Sequence, residues 1–217
     1  PARDRSGENP LSLLEADGGL YFASEIKALL QLPRARPEVN LSAVWDYLAY
    51  RYVPGPRTLF RGIRKLAPGT CPPWREGKLT QRRYWVAPDR APAPKRHVNG
   101  EAVADFLGHL DEAVRLQMVS DVPFGAYLSG GLDSSTIVAL MTRHNTRVKT
   151  FSVGFTEGAY SELDYAGLVA RHFGTDHHEL VVDSKDLIDN IPKLVAFRDA
   201  PVTEPSAIPL YMLSTVA

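Results

Sequence analysis

The stretch Ser129-Gly130-Gly131-Leu132-Asp133-Ser134-Ser135 decides the fold of the second half of this chain. The apolar run 124–128 precedes it and predicts a buried strand, and a helical pattern of apolar residues follows it from Thr136 to Met141. The glycine pair allows a tight turn close to a ligand, and a helix start offers unpaired N–H groups at the positive end of its dipole. The pattern therefore predicts a phosphate-binding loop at a strand–loop–helix junction.

The side chains of this loop indicate the same chemistry. Ser129, Ser134 and Ser135 supply hydroxyl donors. Asp133 would repel a phosphate unless a divalent cation lay between them, and Mg2+ is commonly held by a carboxylate together with substrate phosphates. The loop lacks Gly-Lys-Ser/Thr and is not a Walker A loop. A Ser/Gly-rich helix N-cap without a ligand is the alternative, and the flanking strand, the helix and Asp133 favour the phosphate site.

Composition limits the class of protein. The chain has 217 residues, of which 44% are hydrophobic and 23% charged, so it is one large globular domain or parts of two. A net charge of zero gives no field that favours nucleic acid or an anionic membrane. No apolar run approaches the roughly 20 residues of a membrane span, and the start has no signal-peptide core. We expect a cytoplasmic protein with no nucleic-acid or membrane partner.

The first part of the chain, 1–88, predicts short strands and helices. These are a hairpin with second strand 20–23, helices at 26–30 and 43–51, and a hairpin that turns at Glu76-Gly77 and returns over 79–85. Asn40 is the expected cap of the longer helix. We interpret its stripe of Trp45, Tyr47 and Tyr50 as core packing in preference to a stacking platform.

A stretch rich in proline and charge, 89–100, is the predicted linker, and beyond it helices and strands alternate. The predicted elements are helices at 101–119, 134–144, 161–173 and 185–198 and strands at 124–128, 148–155 and 178–182. Ser161-Glu162-Leu163-Asp164 has the form of a capping box, and Ser184 is the expected cap of the last helix. Such alternation implies a parallel sheet.

Val153 and Gly154 lie where ligands bind in parallel sheets, at the carboxyl end of a strand, as the Ser129–Ser135 loop does. Gly154 would let a flat base lie against the backbone. A plain strand end explains the same two residues equally well, so both interpretations stay open.

Several stretches together resemble one family. Ser120–Ser135, Phe151–Phe155 and Asp176–Glu179 are similar to glutamine-hydrolysing asparagine synthetases, and the loop resembles the pyrophosphate-binding loop of N-type ATP pyrophosphatases. Further matches, at Arg3–Gly7, Tyr21–Leu29 and Tyr52–Thr58, resemble the end of that family's glutaminase domain. The matches follow the family's order along nearly the whole chain.

The resemblance implies both fold and function. It implies an α/β, parallel-sheet ATP pyrophosphatase-type (adenine nucleotide α-hydrolase-like) domain over 101–217. Over 1–88 it implies the C-terminal part of an α+β glutaminase-like domain of the N-terminal-nucleophile class. The implied enzyme is a carbon–nitrogen ligase of asparagine biosynthesis that uses ATP and Mg2+. It would adenylate a carboxylate, aspartate first among the candidates, and then amidate it with ammonia from glutamine.

The family's site is carried over residue by residue. The implied ATP and pyrophosphate residues are Leu128, Ser129, Gly130, Gly131, Asp133, Ser134, Ser135, Val153 and Gly154, and Asp133 would also hold Mg2+. The implied partners are small molecules: ATP, a carboxylate such as aspartate, and glutamine or ammonia. The oligomeric state stays open, with a homodimer as one option.

The chain departs from the family at both ends. The family's glutaminase nucleophile is an amino-terminal cysteine, whereas this chain begins with Pro1, and its single cysteine, Cys71, is internal and lacks an activating neighbour. The family's downstream S-G-x-G-x-D-E segment does not occur. We therefore expect an internal piece of a longer protein, without a glutaminase nucleophile. A related amidotransferase or β-lactam-synthetase-like enzyme on another carboxylate, and a non-catalytic nucleotide-binding module, remain alternatives.

Two further groups of residues have two interpretations each. Neighbouring residues of a strand point to opposite faces, so His177 and His178 favour a structural role at a strand start over a shared metal ion. Asp199 and Glu204 lie in a segment that the resemblance puts near the acyl substrate, but solvated loop charges are slightly favoured.

Overall fold

Two units make up the chain, and each is described by itself. Unit 1 comprises Pro1–Pro92 with Val195–Thr203, and unit 2 comprises Ala93–Leu194 with Glu204–Ala217. The structure, a computed structural model, describes residues 1–33, 35, 37–80, 82–88, 99–145, 147–156 and 161–217. The predicted linker lies mostly outside these ranges, so the domain boundary at 89–100 stays a prediction.

Unit 1 contains an antiparallel sheet with the strand order β2-β1-β3. Strands β1 (Ser12–Ala16) and β2 (Gly19–Ala23) form the predicted hairpin, and β3 (Ile63–Lys65) pairs with the other edge of β1. Helix α1 (Ile26–Leu30) has the predicted bounds. A core of Leu14, Ile26, Leu29 and Ile63 joins α1 to the sheet.

The longer helix of unit 1, α2 (Leu41–Tyr50), has the predicted cap, although it begins before the predicted start at 43. The Asn40 side chain accepts a hydrogen bond from the Ala43 N–H at 3.3 Å, which confirms the cap. Trp45 is 75% exposed and Tyr50 61%, so the prediction of core packing was wrong for these two aromatic residues. Tyr47, one helical turn after the buried Ala43, is half-buried, and its hydroxyl oxygen is enclosed.

The second hairpin is shorter than predicted. Strands β4 (Trp74–Arg75) and β5 (Lys78–Leu79) turn at Glu76-Gly77, and both turn residues have positive φ. Of the predicted return strand 79–85, only its first residue belongs to β5, and Arg83 forms a separate bridge with Thr70. Pro72-Pro73 supply no N–H donors, which keeps the ladder short.

Unit 2 is built on a parallel sheet with the order β6-β7-β8, which confirms the predicted α/β arrangement. The strands are β6 (Gly125–Tyr127), β7 (Lys149–Phe155) and β8 (Asp176–Val182). The helices are α3 (Gly100–Gln117), α4 (Leu132–His144), α5 (Leu163–Phe173), α7 (Ala207–Ser214) and α6 (Ser184–Arg198), whose residues from Val195 onward are assigned to unit 1. None of the helices in the described ranges has the length and apolar character of a membrane span.

Two predicted caps are wrong in detail. Glu162, not Ser161, is the N-cap of α5, and no side chain caps it, so the capping box does not form. At α6 the reciprocal pair is Asp183 with Asp186: each backbone N–H donates to the other's carboxylate, at 3.0 and 2.8 Å. A carboxylate one residue before Ser184 therefore does the capping, because it accepts hydrogen bonds more strongly than a hydroxyl.

A buried carboxylate fixes the 195–203 segment within unit 1. The Lys27 N–H, in the first turn of α1, donates to Asp199 Oδ2 at 3.1 Å, and the Lys27 ammonium donates to Phe197 O at 2.7 Å. The Asp199 side chain is only 11% exposed, so its interpretation as a solvated loop charge was wrong. Glu204 is exposed, as expected of a solvated charge.

We expect Asp199→Ala to destabilise unit 1 by about 1 kcal/mol, because it removes the acceptor that caps α1. Urea unfolding followed by tryptophan fluorescence measures this, since Trp45, Trp74 and Trp85 all lie in unit 1. Glu204→Ala is the matched control and should leave the midpoint unchanged. Equal midpoints for both variants would contradict the capping role.

The carboxylate of Asp4 holds the segment 3–9 together by accepting several backbone hydrogen bonds. Asp4 accepts hydrogen bonds from the N–H groups of Asn9 (3.0 Å), Glu8 (2.9 Å) and Gly7. The hydrogen bond from Asn9, with those from Glu8 and Gly7, lowers the pKa of the Asp4 carboxyl below its ordinary value. A carboxyl with a lowered pKa stabilises the fold above its unfolded-state pKa, and this stability is lost as pH falls through the folded-state pKa.

Asp4→Asn should therefore lower the melting temperature of unit 1 at pH 7. The gap from the wild type should narrow below about pH 4, where the Asp4 carboxyl of the unfolded chain begins to take up a proton. Thermal unfolding by tryptophan fluorescence between pH 7 and pH 3 measures it, with Glu8→Gln as the exposed acidic control. A gap that stays constant over this range would rule out the charge on Asp4 as its source.

Candidate functional site

The loop begins where β6 ends, and its first residue is tied to the neighbouring strand. Leu128 is 2% exposed, and its N–H donates to Phe151 O at 2.9 Å. The Ser152 hydroxyl donates to the Leu128 carbonyl oxygen. Both backbone groups of Leu128 are therefore fixed by β7, and the loop leaves the carboxyl end of the sheet at a defined point.

Gly130 is the position at which the loop approaches α5. Its φ is +78°, and a Cβ there would lie 2.5 Å from the carbonyl carbon of Tyr165 and 2.6 Å from the Ala166 nitrogen. Any side chain would meet backbone atoms, which cannot move aside without shifting α5. The sequence therefore needs glycine here for two reasons, the left-handed backbone and the close approach.

The N-terminus of α4 is open. Gly131 is its N-cap, and no side chain caps the helix. The hydroxyls of Ser129 and Ser134 lie 3.0 Å apart, and Ser134 Oγ also lies 3.2 Å from the Gly131 carbonyl oxygen, to which it donates. Ser135 Oγ is enclosed without a hydrogen-bond partner among the described residues, an arrangement that costs about 1–3 kcal/mol. The backbone N–H groups of the first turn, which no side chain caps, suit an anion.

Asp133 is the loop residue whose carboxylate could bind a cation. It lies in the first turn of α4 and is exposed to solvent. Within the described ranges, no three His, Cys, Asp or Glu side chains come together as a metal site. A cation here would therefore take one protein carboxylate and find its remaining ligands in water and a bound phosphate, which is how Mg2+ is usually held.

A cavity of about 390 Å3 opens beside the loop at the carboxyl end of the sheet. It is lined by Tyr127, Leu128, Ser129, Ser134, Phe151, Ser152, Val153, Phe155, Glu162, Ala166, Ser206, Pro209, Leu210 and Leu213. Most of its wall is apolar, and the two loop serines stand at its polar side. The cavity has the size and character of a small-molecule site.

The structure brings four of the predicted site residues to this cavity: Leu128, Ser129, Ser134 and Val153. Gly154 does not line it. A Cβ on Gly154 would lie 2.4 Å from Leu163 Cδ1, so packing against α5 explains this glycine without a ligand. That contact supports the plain strand-end interpretation.

Sequence reasoning missed the cavity residues that α5 and α7 contribute. Glu162 lies at the start of α5, and Ser206, Pro209, Leu210 and Leu213 lie at or in α7. Periodicity does not say which strand a helix such as α7 packs on. The capping-box pattern predicted a local structural role for the 161–164 segment, so Glu162 was not among the predicted site residues.

The histidine pair has contacts of a structural kind. His177 Nδ1 lies 2.9 Å from Thr150 Oγ1, and its Nε2 lies 3.3 Å from Glu179 Oε1. The His178 ring stacks on Phe151 with centroids 5.2 Å apart, and its Nε2 lies 3.2 Å from Asp176 Oδ1. The two side chains contact different partners, which agrees with a structural role at the strand start. Cys71 is exposed and free.

Gly130→Ala should destabilise unit 2 more than Gly174→Ala does. Gly174 also has positive φ (+64°), at the C-terminus of α5, but no atom lies within 4 Å of its Cβ position. Gly174→Ala should cost about 1 kcal/mol of backbone strain, and Gly130→Ala about 1–3 kcal/mol more because of the clash. Urea unfolding by circular dichroism measures both, and equal costs would contradict the close approach to α5.

Comparison with known proteins follows the division of the chain. A family model described as asparagine synthase matches residues 105–217, and one described as glutamine amidotransferase domain matches residues 1–85. The chain is 37% identical to a putative glutamine-hydrolyzing asparagine synthetase of Mycobacterium tuberculosis and 34% identical to glutamine-hydrolyzing asparagine synthetase 1 of Bacillus subtilis. Each alignment covers 100% of this chain and 34% of the relative.

More distant relatives carry a different name. The chain is 30% identical to amidase chyE of Penicillium rubens, over 94% of this chain and 32% of that protein. The chain thus spans about a third of the length of the curated relatives it matches. Because the asparagine synthase model covers more than half of its residues, the chain belongs to the asparagine synthase family.

Proposed function

We propose that this chain carries the ATP site of a glutamine-hydrolysing, asparagine synthase-like enzyme. The observation that carries the proposal is the junction of Gly130, the uncapped start of α4 and the adjoining cavity at the carboxyl end of the sheet. Relatives named asparagine synthetases align with the whole chain and support the same assignment. The unit-2 sheet would then be the start of an ATP pyrophosphatase-type fold.

The chemistry explains why such an enzyme needs ATP. A carboxylate is a poor acyl donor because its leaving group would be oxide. Transfer of AMP from ATP to the carboxylate oxygen releases pyrophosphate and creates an acyl adenylate, whose leaving group is AMP. Ammonia then attacks the acyl carbon and forms the amide. Aspartate is the proposed carboxylate, because the relatives are named asparagine synthetases.

Each loop residue has a role in this proposal. The N–H groups at the start of α4 and the hydroxyls of Ser129, Ser134 and Ser135 would bind the pyrophosphate portion of ATP, where negative charge develops. Gly130 and Gly131 would let the phosphate approach the backbone. Leu128 and Val153 would flank the adenine, with the backbone at Gly154 behind them. Asp133 would hold Mg2+, which when bound neutralises charge on the leaving phosphates.

Unit 1 would contribute the remaining part of the enzyme. Residues 1–85 match the glutamine amidotransferase domain, so unit 1 would be part of an α+β glutaminase-like domain that supplies ammonia from glutamine. The proposed small-molecule partners are therefore ATP, glutamine and the acceptor carboxylate.

One observation favours a second candidate. Amidase chyE aligns with 94% of this chain. The same adenylation chemistry could therefore act on another carboxylate, because the cavity residues described above do not select the acceptor. A screen of pyrophosphate release by the full-length protein across amino-acid and other carboxylates separates the two candidates.

We expect the chain to bind ATP in a Mg2+-dependent manner and expect Asp133→Ala to abolish that dependence. Asp164→Ala is the matched control, because Asp164 is the second residue of α5 as Asp133 is of α4. Calorimetric titration of ATP with and without Mg2+ measures the effect. Failure of the folded wild-type chain to bind ATP would overturn the proposed site, and equal effects of the two variants would remove Asp133 from it.

A further inference from the structure

We infer that Glu162 binds the ribose hydroxyls of the nucleotide and makes this site selective for ribonucleotides over deoxyribonucleotides. The inference rests on the proposed function, since it assigns a residue to the middle of the same ATP site.

The backbone holds Glu162 close to the loop. Its carbonyl oxygen accepts hydrogen bonds from the N–H groups of Tyr165 and Ala166, each at 3.1 Å. The backbone of these two residues lies against Gly130, where a Cβ would come within 2.6 Å of it. Glu162 is therefore fixed one helical turn from the point at which the loop contacts α5.

Glu162 is the one acidic residue among the described residues that line the cavity. Its side chain does not cap α5, and it has no hydrogen bond or ion pair with any described residue. Glu162 is exposed and lines the cavity, so its carboxylate is available to a ligand bound there. It would repel the phosphates, so the group it contacts must be a neutral or positive donor.

The order of groups in ATP identifies that donor. The same cavity is lined by apolar residues, among them Leu128 and Val153, and by the loop serines Ser129 and Ser134. A nucleotide with its base on the apolar wall and its phosphates on the loop has its ribose between them. The 2′ and 3′ hydroxyls are adjacent donors that match the two oxygens of one carboxylate, and acidic residues bind ribose in this way in dinucleotide sites.

A metal-binding role for Glu162 is less well supported. Within the described ranges, no cluster of three metal-ligating side chains includes it. Ala166, which follows Glu162 by one helical turn and lines the same cavity, offers no side-chain oxygen that could complete a coordination shell.

The experiment compares the affinities of the chain for ATP, 2′-deoxy-ATP and 3′-deoxy-ATP, each with Mg2+, by calorimetric titration. We expect the wild type to bind ATP about tenfold more tightly than either deoxy form, since a hydrogen bond to a charged group has about that effect. Glu162→Ala should lose this preference, and Glu162→Gln should retain part of it. Asp164→Ala should behave as the wild type, and circular dichroism confirms that each variant is folded.

The outcomes separate the two levels of inference. Binding of ATP without a preference for the ribonucleotide, or a preference that survives in Glu162→Ala, overturns the role of Glu162 alone. No ATP binding by the folded wild type overturns the proposed ATP site, and the ribose assignment with it. A loss of affinity in Glu162→Ala that is equal for all three nucleotides points to a contact with the base or the phosphates and also overturns the assignment.

Discussion

The contact between Gly130 and the first turn of α5 is the constraint on which the site depends. With a φ of +78° and no Cβ, Gly130 lets the loop touch the backbone of Tyr165 and Ala166. That contact places the start of α4 and the start of α5 side by side at the carboxyl end of the sheet. The hydroxyls come from α4 and its loop, and the carboxylate of Glu162 comes from α5. Neither helix start alone would form the cavity.

Polar side chains inside the sheet hold the strands beneath this junction in register. Thr150 is fully buried, and its hydroxyl lies 2.8 Å from Thr175 Oγ1 and 2.9 Å from His177 Nδ1. Ser152, two residues further along β7, donates to the Leu128 carbonyl oxygen. Buried hydroxyls with partners rigidify a sheet, whereas unpaired ones would weaken it. β7 is therefore fixed to β8 on one side and to the loop on the other.

Sequence patterns predicted the positions of helices and strands better than they predicted which residues contact one another. Sequence patterns placed most of the helices and strands within a few residues, although the predicted return strand 79–85 was too long. Asn40 was predicted as a cap because its partner, Ala43, is local. Asp199 was misjudged because its partner, the Lys27 N–H, lies 172 residues away in the sequence. Trp45 was misjudged for a related reason: a helical stripe shows that a face exists, but not that anything in this chain covers it.

In the candidate site, too, the residues that are local in sequence were predicted and those brought in by the tertiary fold were not. The loop was predictable because its chemistry is carried by consecutive residues, whereas α7 and Glu162 reach the cavity only through the tertiary fold. With the missed residues, one cavity combines many apolar side chains with the hydroxyls of the loop. An adenine nucleotide likewise combines an apolar base with a polar phosphate chain. In the proposed orientation, with the base against the apolar residues and the pyrophosphate on the loop, the α-phosphate would lie between the ribose and the loop, and an acceptor carboxylate would attack it there.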